Sequence, residues 1–251
     1  MKHEETLRLV PRAKTAVLML LGICGTPDHF RVLLPLEDQI PEDWSVCNIR
    51  YPGHGGTVTD FSRSSMDKWQ RYAMEWFDRL CQTHERVILV GHSMGTLFAI
   101  RMALKRPEKV PFLFLIEVPL RVGVKAFTVR NLLRFCFDRL DENDPVQMAL
   151  YDVCSIEKRR NLFCYAGWLP RMAELICLMH ETVALLPQLR VPAIAWQSRR
   201  DELVSDRSAA LLEQAGTVQL RQFEASTHFY YSPKDCRKVK RDFHACVRKY
   251  L

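Results

Sequence analysis

Ser93, Asp201 and His228 are residue types that together can transfer an acyl group. A serine hydroxyl is a weak nucleophile near neutral pH. It becomes effective when an imidazole takes its proton and a carboxylate orients that imidazole. The serine lies in VILVGHSMGTLFAI, residues 87–100, between Gly91 and Gly95. Four apolar residues precede the first glycine and an apolar-rich segment follows the second, so the pattern reads as strand, sharp turn, helix. The glycines leave room for neighbouring backbone around a strained turn. The following helix points its N-terminus at the serine, where it favours developing negative charge. The bland alternative is a plain Gly-Ser turn, and residues elsewhere have to decide.

QSRRDELV, residues 197–204, and EASTHF, residues 224–229, each follow an apolar run late in the chain. They place Asp201 and His228 after Ser93 in the order serine, acid, histidine. Glu202 and Asp206 compete for the acid's role, although Asp206 also suits the N-cap of the next helix. Among eight histidines, His92 abuts the serine but is expected to point away from it. His54 lies in another loop on the same edge and is a candidate substrate contact, while His244 falls inside the last helix. His228 follows the final strand. Acyl transfer also needs donors for the oxyanion. The backbone N–H of Met94 is one candidate, and that of Ile23, in the loop LGICGTP at 21–27, is the other.

The elements that must hold these groups are legible as an alternation. Short apolar runs at Ala16–Leu21, Trp44–Ile49, Val87–Val90, Phe112–Ile116, Ala193–Trp196 and Val218–Phe223 fit strands buried on both faces. Helical patterns lie at Ser65–His84, Met94–Lys105, Asp206–Gln214 and Pro233–Tyr250. The sum is an α/β fold with a mostly parallel sheet flanked by helices. From Pro119 to Leu186 no strand is evident; Ala126–Leu140, Pro145–Cys154, Ile156–Tyr165 and Pro170–Leu186 read as helices. The expected organisation is therefore a core of residues 1–118 and 187–251 with a helical cap at 119–186. Phe135, Phe163, Trp168 and Met179 are among the cap side chains that either line a pocket or attach the cap to the sheet.

Bulk properties narrow the function classes. With 48% hydrophobic and 26% charged residues in 251, the chain is a folded protein with a sizeable core and not a disordered one. A net charge of +7 attracts anions. The basic residues are dispersed, however, and no nucleic-acid-binding motif accompanies them, so no nucleic-acid partner is expected. Nine cysteines, an odd number without a Cys-x-x-Cys, argue against zinc and for free thiols in a reducing compartment. The first residues, MKHEETLRLVPRAK, lack an apolar core of signal-peptide length, and no run is long enough to span a bilayer. A cytoplasmic location without membrane insertion is the expectation.

The chain resembles α/β-hydrolases of the carboxylesterase and monoacylglycerol lipase type. The resemblance is carried by LLGICGT at 20–26, RYPGHG at 50–55, the elbow at 91–95, SRRDELV at 198–204 and Ser226-Thr227-His228. It implies Ser93 as nucleophile, His228 as base and Asp201 as its orienting acid. It also implies a water-soluble ester substrate, such as a monoacylglycerol or a short-to-medium acyl ester, with no metal or organic cofactor. Two positions depart from the pattern. Leu21-Gly22 stands where His-Gly is usual in the oxyanion loop, and Ser-Thr-His stands where Ser-Gly-His is common. A thioesterase or amidase would carry the same three residues, and an inactive hydrolase-like binding protein is the rival of a different class.

Overall fold

The computed structural model describes residues 3–123, 134, 139–157, 159 and 161–250. The apolar runs become strands of one seven-stranded sheet. In chain order they are β1 (Thr6–Arg8), β2 (Thr15–Leu20), β3 (Ser45–Asn48), β4 (Arg86–His92), β5 (Leu113–Ile116), β6 (Ala193–Ser198) and β7 (Val218–Phe223). Their spatial order is β1-β3-β2-β4-β5-β6-β7, parallel throughout except that β1 runs antiparallel to β3. A strand covered on both faces needs apolar side chains at successive positions. β2 and β5 meet that demand, with every residue buried. β7, at the sheet edge, exposes Gln219 and Arg221, polar groups that discourage pairing with another chain.

Seven α-helices accompany the strands among the described residues: α1 (Val58–Ser62), α2 (Met66–Thr83), α3 (Met94–Lys105), α4 (Pro145–Val153), α5 (Leu169–Leu185), α6 (Arg207–Glu213) and α7 (Pro233–Val247). The Ser65 side chain caps α2 by accepting from the Lys68 N–H at 3.2 Å. Met66, Trp69, Ala73, Phe77 and Leu80 then form the buried stripe that their three- and four-residue spacing predicts. On α7, Val239, Phe243, Cys246 and Val247 are buried, while Arg237 and Arg241 face water. The basic C-terminal stretch is thus the wet face of a packed helix.

Topology concentrates loops at one place. β2 lies between β3 and β4; the chain leaves β2 toward β3 and leaves β4 toward β5, in opposite directions along the sheet, so a crevice opens at the carboxyl ends of β2 and β4. Register carries that edge onward: Leu20 pairs with Gly91, His92 with Ile116, Ile116 with Trp196 and Ser198 with Phe223. The residues just beyond these ends, Ser93, Glu117, Asp201 and His228, therefore converge.

β1 and the stretch Ile156–Tyr165 differ from the sequence-based expectation. β1 was not foreseen; its three residues hold the sheet edge, with Arg8 donating to the carbonyls of Trp44 and Pro41 at 3.2 and 2.8 Å. Among the described residues the helix expected at Ile156–Tyr165 is instead a bend at Ile156, a bridge at Glu157 and a tight 3₁₀ helix at Leu162–Trp168. Asn161 initiates that turn by accepting from the Phe163 N–H at 3.0 Å, and Glu157 pairs with Thr57. The helix expected at Ala126–Leu140 falls almost entirely outside the described residues, as does Phe135. Of the other apolar side chains singled out there, Met179 is buried in the core, Trp168 packs on Phe61 at 4.6 Å between ring centroids, and Phe163 is 89% exposed. The stretch between β5 and β6 touches the loops after β2 and β3: Ser155 N–H donates to Cys24 O and Glu157 N–H to Gly56 O, both at 2.9 Å.

Candidate active site

Ser93 sits between β4 and α3 with φ 50° and ψ −124°, a strained conformation for a residue with a side chain. The surroundings enforce it. The Ser93 N–H donates to Ile116 O at 2.9 Å, and the Thr96 N–H and hydroxyl donate to Ser93 O at 2.9 and 2.6 Å. A Cβ on Gly95 would collide with the Leu20 carbonyl, and one on Gly91 would lie 2.8 Å from Thr96 Cα. The two glycines are the condition for seating the turn against β2.

The structure brings Ser93, His228 and Asp201 into one chain of hydrogen bonds. His228 Nδ1 donates to Asp201 Oδ2 at 2.7 Å, and the Ser93 hydroxyl donates to His228 Nε2 at 3.0 Å. The carboxylate can only accept when ionised, so it fixes the imidazole tautomer and leaves Nε2 free to take the serine proton. All three are buried, at 6%, 2% and 1% exposure. Burial opposes the charged imidazolium, but the Asp201 carboxylate, its hydrogen bond and Glu202 outweigh burial and raise the His228 pKa above its usual 6.5. Burial likewise opposes ionised Asp201, yet His228 and the hydrogen bonds it accepts hold its pKa down. Asp206 takes no part and sits at the N-terminus of α6.

Glu202, Thr227 and Asp235, the last not singled out in the sequence, hold the arrangement. Glu202 accepts from the His228 N–H at 2.9 Å and the Thr227 hydroxyl at 3.1 Å. The threonine that replaces the usual glycine therefore closes the histidine loop; its N–H also donates to Tyr230 O at 2.8 Å. Asp235, capped into the start of α7 by Ser232, accepts from the N–H groups of Ala225 and Ser226, both at 3.0 Å, and from the Ser226 hydroxyl at 2.6 Å. The sequence signal for Asp235 was Ser232-Pro233-Lys234-Asp235, a helix start with an acid in its first turn.

Glu117 follows β5 and is fully buried beside Asp201. One ligand atom each from Glu117, Asp201 and His228 lies within 4.8 Å of the others. The Asp201 and His228 atoms are already engaged with each other, and hydrogen bonding accounts for the cluster. Burial and then the Asp201 charge push the Glu117 pKa well above its usual value.

The oxyanion loop lies between β2 and the elbow. Among the described residues no acceptor takes up the N–H of Ile23 or of Met94. A Cβ on Gly22 would come within 3.0 Å of both His92 Nδ1 and Ser93 Cβ. Leu21, in the position of the usual histidine, is fully buried, and its carbonyl accepts from the Tyr51 hydroxyl at 3.3 Å. His92 turns away from Ser93, donates to His228 O at 3.2 Å and stacks on His29 at 3.9 Å. His54 is not brought to the triad. It is 4% exposed among the rings of Tyr51, Phe61 and Trp69, and burial lowers its pKa to about 3. A cavity of about 1000 Å³ is lined by Asp28, Leu33, Gly55, Tyr151, Cys154 and Ser155 among others, and not by Ser93, Asp201 or His228.

Known proteins were compared with this chain by sequence and by structure. The profile of the Alpha/beta hydrolase family matches residues 17–238. The chain is 25% identical over 207 residues to a thermostable monoacylglycerol lipase of Bacillus sp. (strain H-257), covering 79% of this chain and 75% of that protein. Among solved structures, one from a study of two metagenome-derived lipolytic enzymes, LipS and LipT, superimposes with a TM-score of 0.73 at 20% identity, over 98% of each chain. A monoacylglycerol lipase from Paleococcus ferrophilus gives 0.70 at 17% identity over 100% of each chain. At such identities the structural matches establish the fold. No helix among the described residues is long and apolar enough to cross a membrane.

Proposed function

The chain belongs to the alpha/beta hydrolase family, and from that membership we propose that it is a serine hydrolase that cleaves carboxylic esters through an acyl-enzyme intermediate. The observation that carries this reading is the continuous, buried relay from Ser93 Oγ through the His228 ring to Asp201. Ser93 Oγ bonds to the ester carbonyl carbon as its proton passes to His228 Nε2. Asp201 holds the ring and stabilises the imidazolium. The oxyanion is received by the N–H groups of Ile23 and Met94, which have no acceptor among the described residues, with the N-terminus of α3 behind it. His228 returns the proton to the departing alkoxide. Water, deprotonated in turn by His228, then releases the acid.

Relatives named as monoacylglycerol lipases support a small, uncharged ester as substrate. The stretch 119–186 serves as a cap in this reading, supported by its contacts to the loops after β2 and β3. His54 is assigned to packing of the loop after β3 and not to substrate contact, because aromatic rings surround it.

A fluorophosphonate probe, followed by mass analysis, tests the nucleophile. Labelling is expected at Ser93 and is expected to disappear in Ser93→Ala, with turnover of p-nitrophenyl esters falling by a factor on the order of 10⁴ or more. Parallel thioester and anilide substrates separate an esterase from a thioesterase or amidase. A folded protein that neither labels nor turns over any of them is a binding protein, and the reading fails.

A further inference from the structure

Glu117 has three features that packing alone does not account for. It directly follows β5 with φ 52°, a left-handed conformation that costs a glutamate about 1 kcal/mol or more. Its N–H still donates to Trp196 O at 2.8 Å, so the strain serves the direction of the side chain and not the end of the strand. Its carboxyl is divided in function: Oε2 accepts from the Ser198 N–H at 3.1 Å, while Oε1 is buried and accepts from no donor among the described residues. The atom set already described puts a Glu117 carboxyl oxygen within 4.8 Å of both Asp201 and His228.

The groups that face Glu117 are Asp201 and Glu202 from the loop after β6, and His228 and Tyr231 from the stretch after β7. An ionised glutamate among two acids is costly. A neutral one resolves the orphan: Oε2 is the carbonyl oxygen that accepts from Ser198, and Oε1 carries the proton. Asp201 needs that donor. Its Oδ1 accepts from the N–H groups of Leu203 and Val204, both at 2.7 Å, and its Oδ2 accepts from His228. A further donor completes a shell that suits only an ionised carboxylate.

We propose that Glu117 is a positioning residue, an un-ionised carboxylic acid whose Oε1–H donates to Asp201 and holds it as the fixed, charged acceptor for His228. The inference rests on the ester-hydrolase reading for its kinetic consequences but not for the protonation state itself. Burial and Asp201 both favour the proton staying on Glu117.

Glu117→Gln keeps an acceptor for Ser198 and a donor for Asp201, whereas Glu117→Leu keeps neither. Glu117→Gln is expected to retain kcat within about threefold and to leave the acid limb of kcat/KM in place. Glu117→Leu is expected to lose about tenfold or more in kcat with KM little changed, and to move the acid limb about half a pH unit higher, because Asp201 with one donor fewer holds the imidazolium more tightly. A Gln variant as impaired as Leu would show that the group acts as an anion, and a folded Leu variant with the parent profile would show a merely structural side chain. Either result overturns the proposal. If the Leu variant does not fold, infrared difference spectra of parent and Gln variant decide. An un-ionised carboxyl stretch at neutral pH should vanish in Glu117→Gln, and no lost band rejects the proposal. This spectrum needs no turnover, so it stands even if the parent fails to label at Ser93.

Discussion

At the scale of single residues, the charge on His228 governs the pH behaviour of the site. Its pKa in the folded protein lies above 6.5, and in the proposed mechanism the neutral ring is the base. Activity should therefore fall as pH drops through a value above 6.5, since the proton that disables the base binds more tightly than to free imidazole. A kcat/KM profile with its acid limb at or below 6.5 would contradict the balance of burial against Asp201 and Glu202. The limb belongs to the coupled relay and not to one residue. Ser93, Asp201 and His228 were legible because each follows an apolar run in an order that restricts the choice. Glu117 was not. A lone acid after β5 resembles any polar residue ending a strand, and Ser198, whose N–H it accepts, lies 81 positions away. His54 misled in the opposite direction: a histidine in a glycine-rich loop looks available, and its burial among three aromatic rings is a tertiary fact.

At the scale of elements, the elbow depends on how closely α3 approaches β2. Gly95→Ala puts a methyl group into the Leu20 carbonyl, and neither backbone can yield without shifting the sheet. The expected cost is about 3 kcal/mol or more, read as a lower denaturation midpoint, together with loss of probe labelling at Ser93. A variant as stable and reactive as its parent would mean that α3 has slack here. Strands with unbroken apolar runs and helices with a clear stripe were readable in the sequence, as α2 and β5 illustrate. β1 was not, because three residues pinned by Arg8 have no periodicity to detect. The 3₁₀ helix at Leu162–Trp168 misread as α-helix because apolar spacing over seven residues does not separate the two.

At the scale of the whole molecule, stability depends on pH through opposed sets of groups. His29 and His54, with folded pKa values lowered to about 3 by burial, and His92, lowered well below its usual value by burial and then by His29 and His228, are held neutral. Below about 6.5 the unfolded chain binds protons that these residues in the folded state do not, so their contribution falls with falling pH by up to about 1.4 kcal/mol per unit each. Glu117, Glu202 and His228, whose folded pKa values are raised, act in the reverse sense, losing stability as pH rises. His54→Phe isolates one member. The ring fits the aromatic cage without the histidine's unpaired nitrogens, so the variant is expected to be at least as stable at pH 8 and to lose less stability by pH 5 than its parent. An equal loss of stability from pH 8 to pH 5 in parent and variant, measured by urea unfolding, would place His54 in contact with water. Convergence of strand ends has a kinetic consequence as well. The Ser93–His228 bond joins residues 135 positions apart, and the histidine loop is tied down by Glu202 and by Asp235 at the start of α7. Long loops must close before such contacts form. On dilution from denaturant, helical signal and tryptophan burial should return first. Reactivity toward the probe should return last, making labelling a reporter of complete folding.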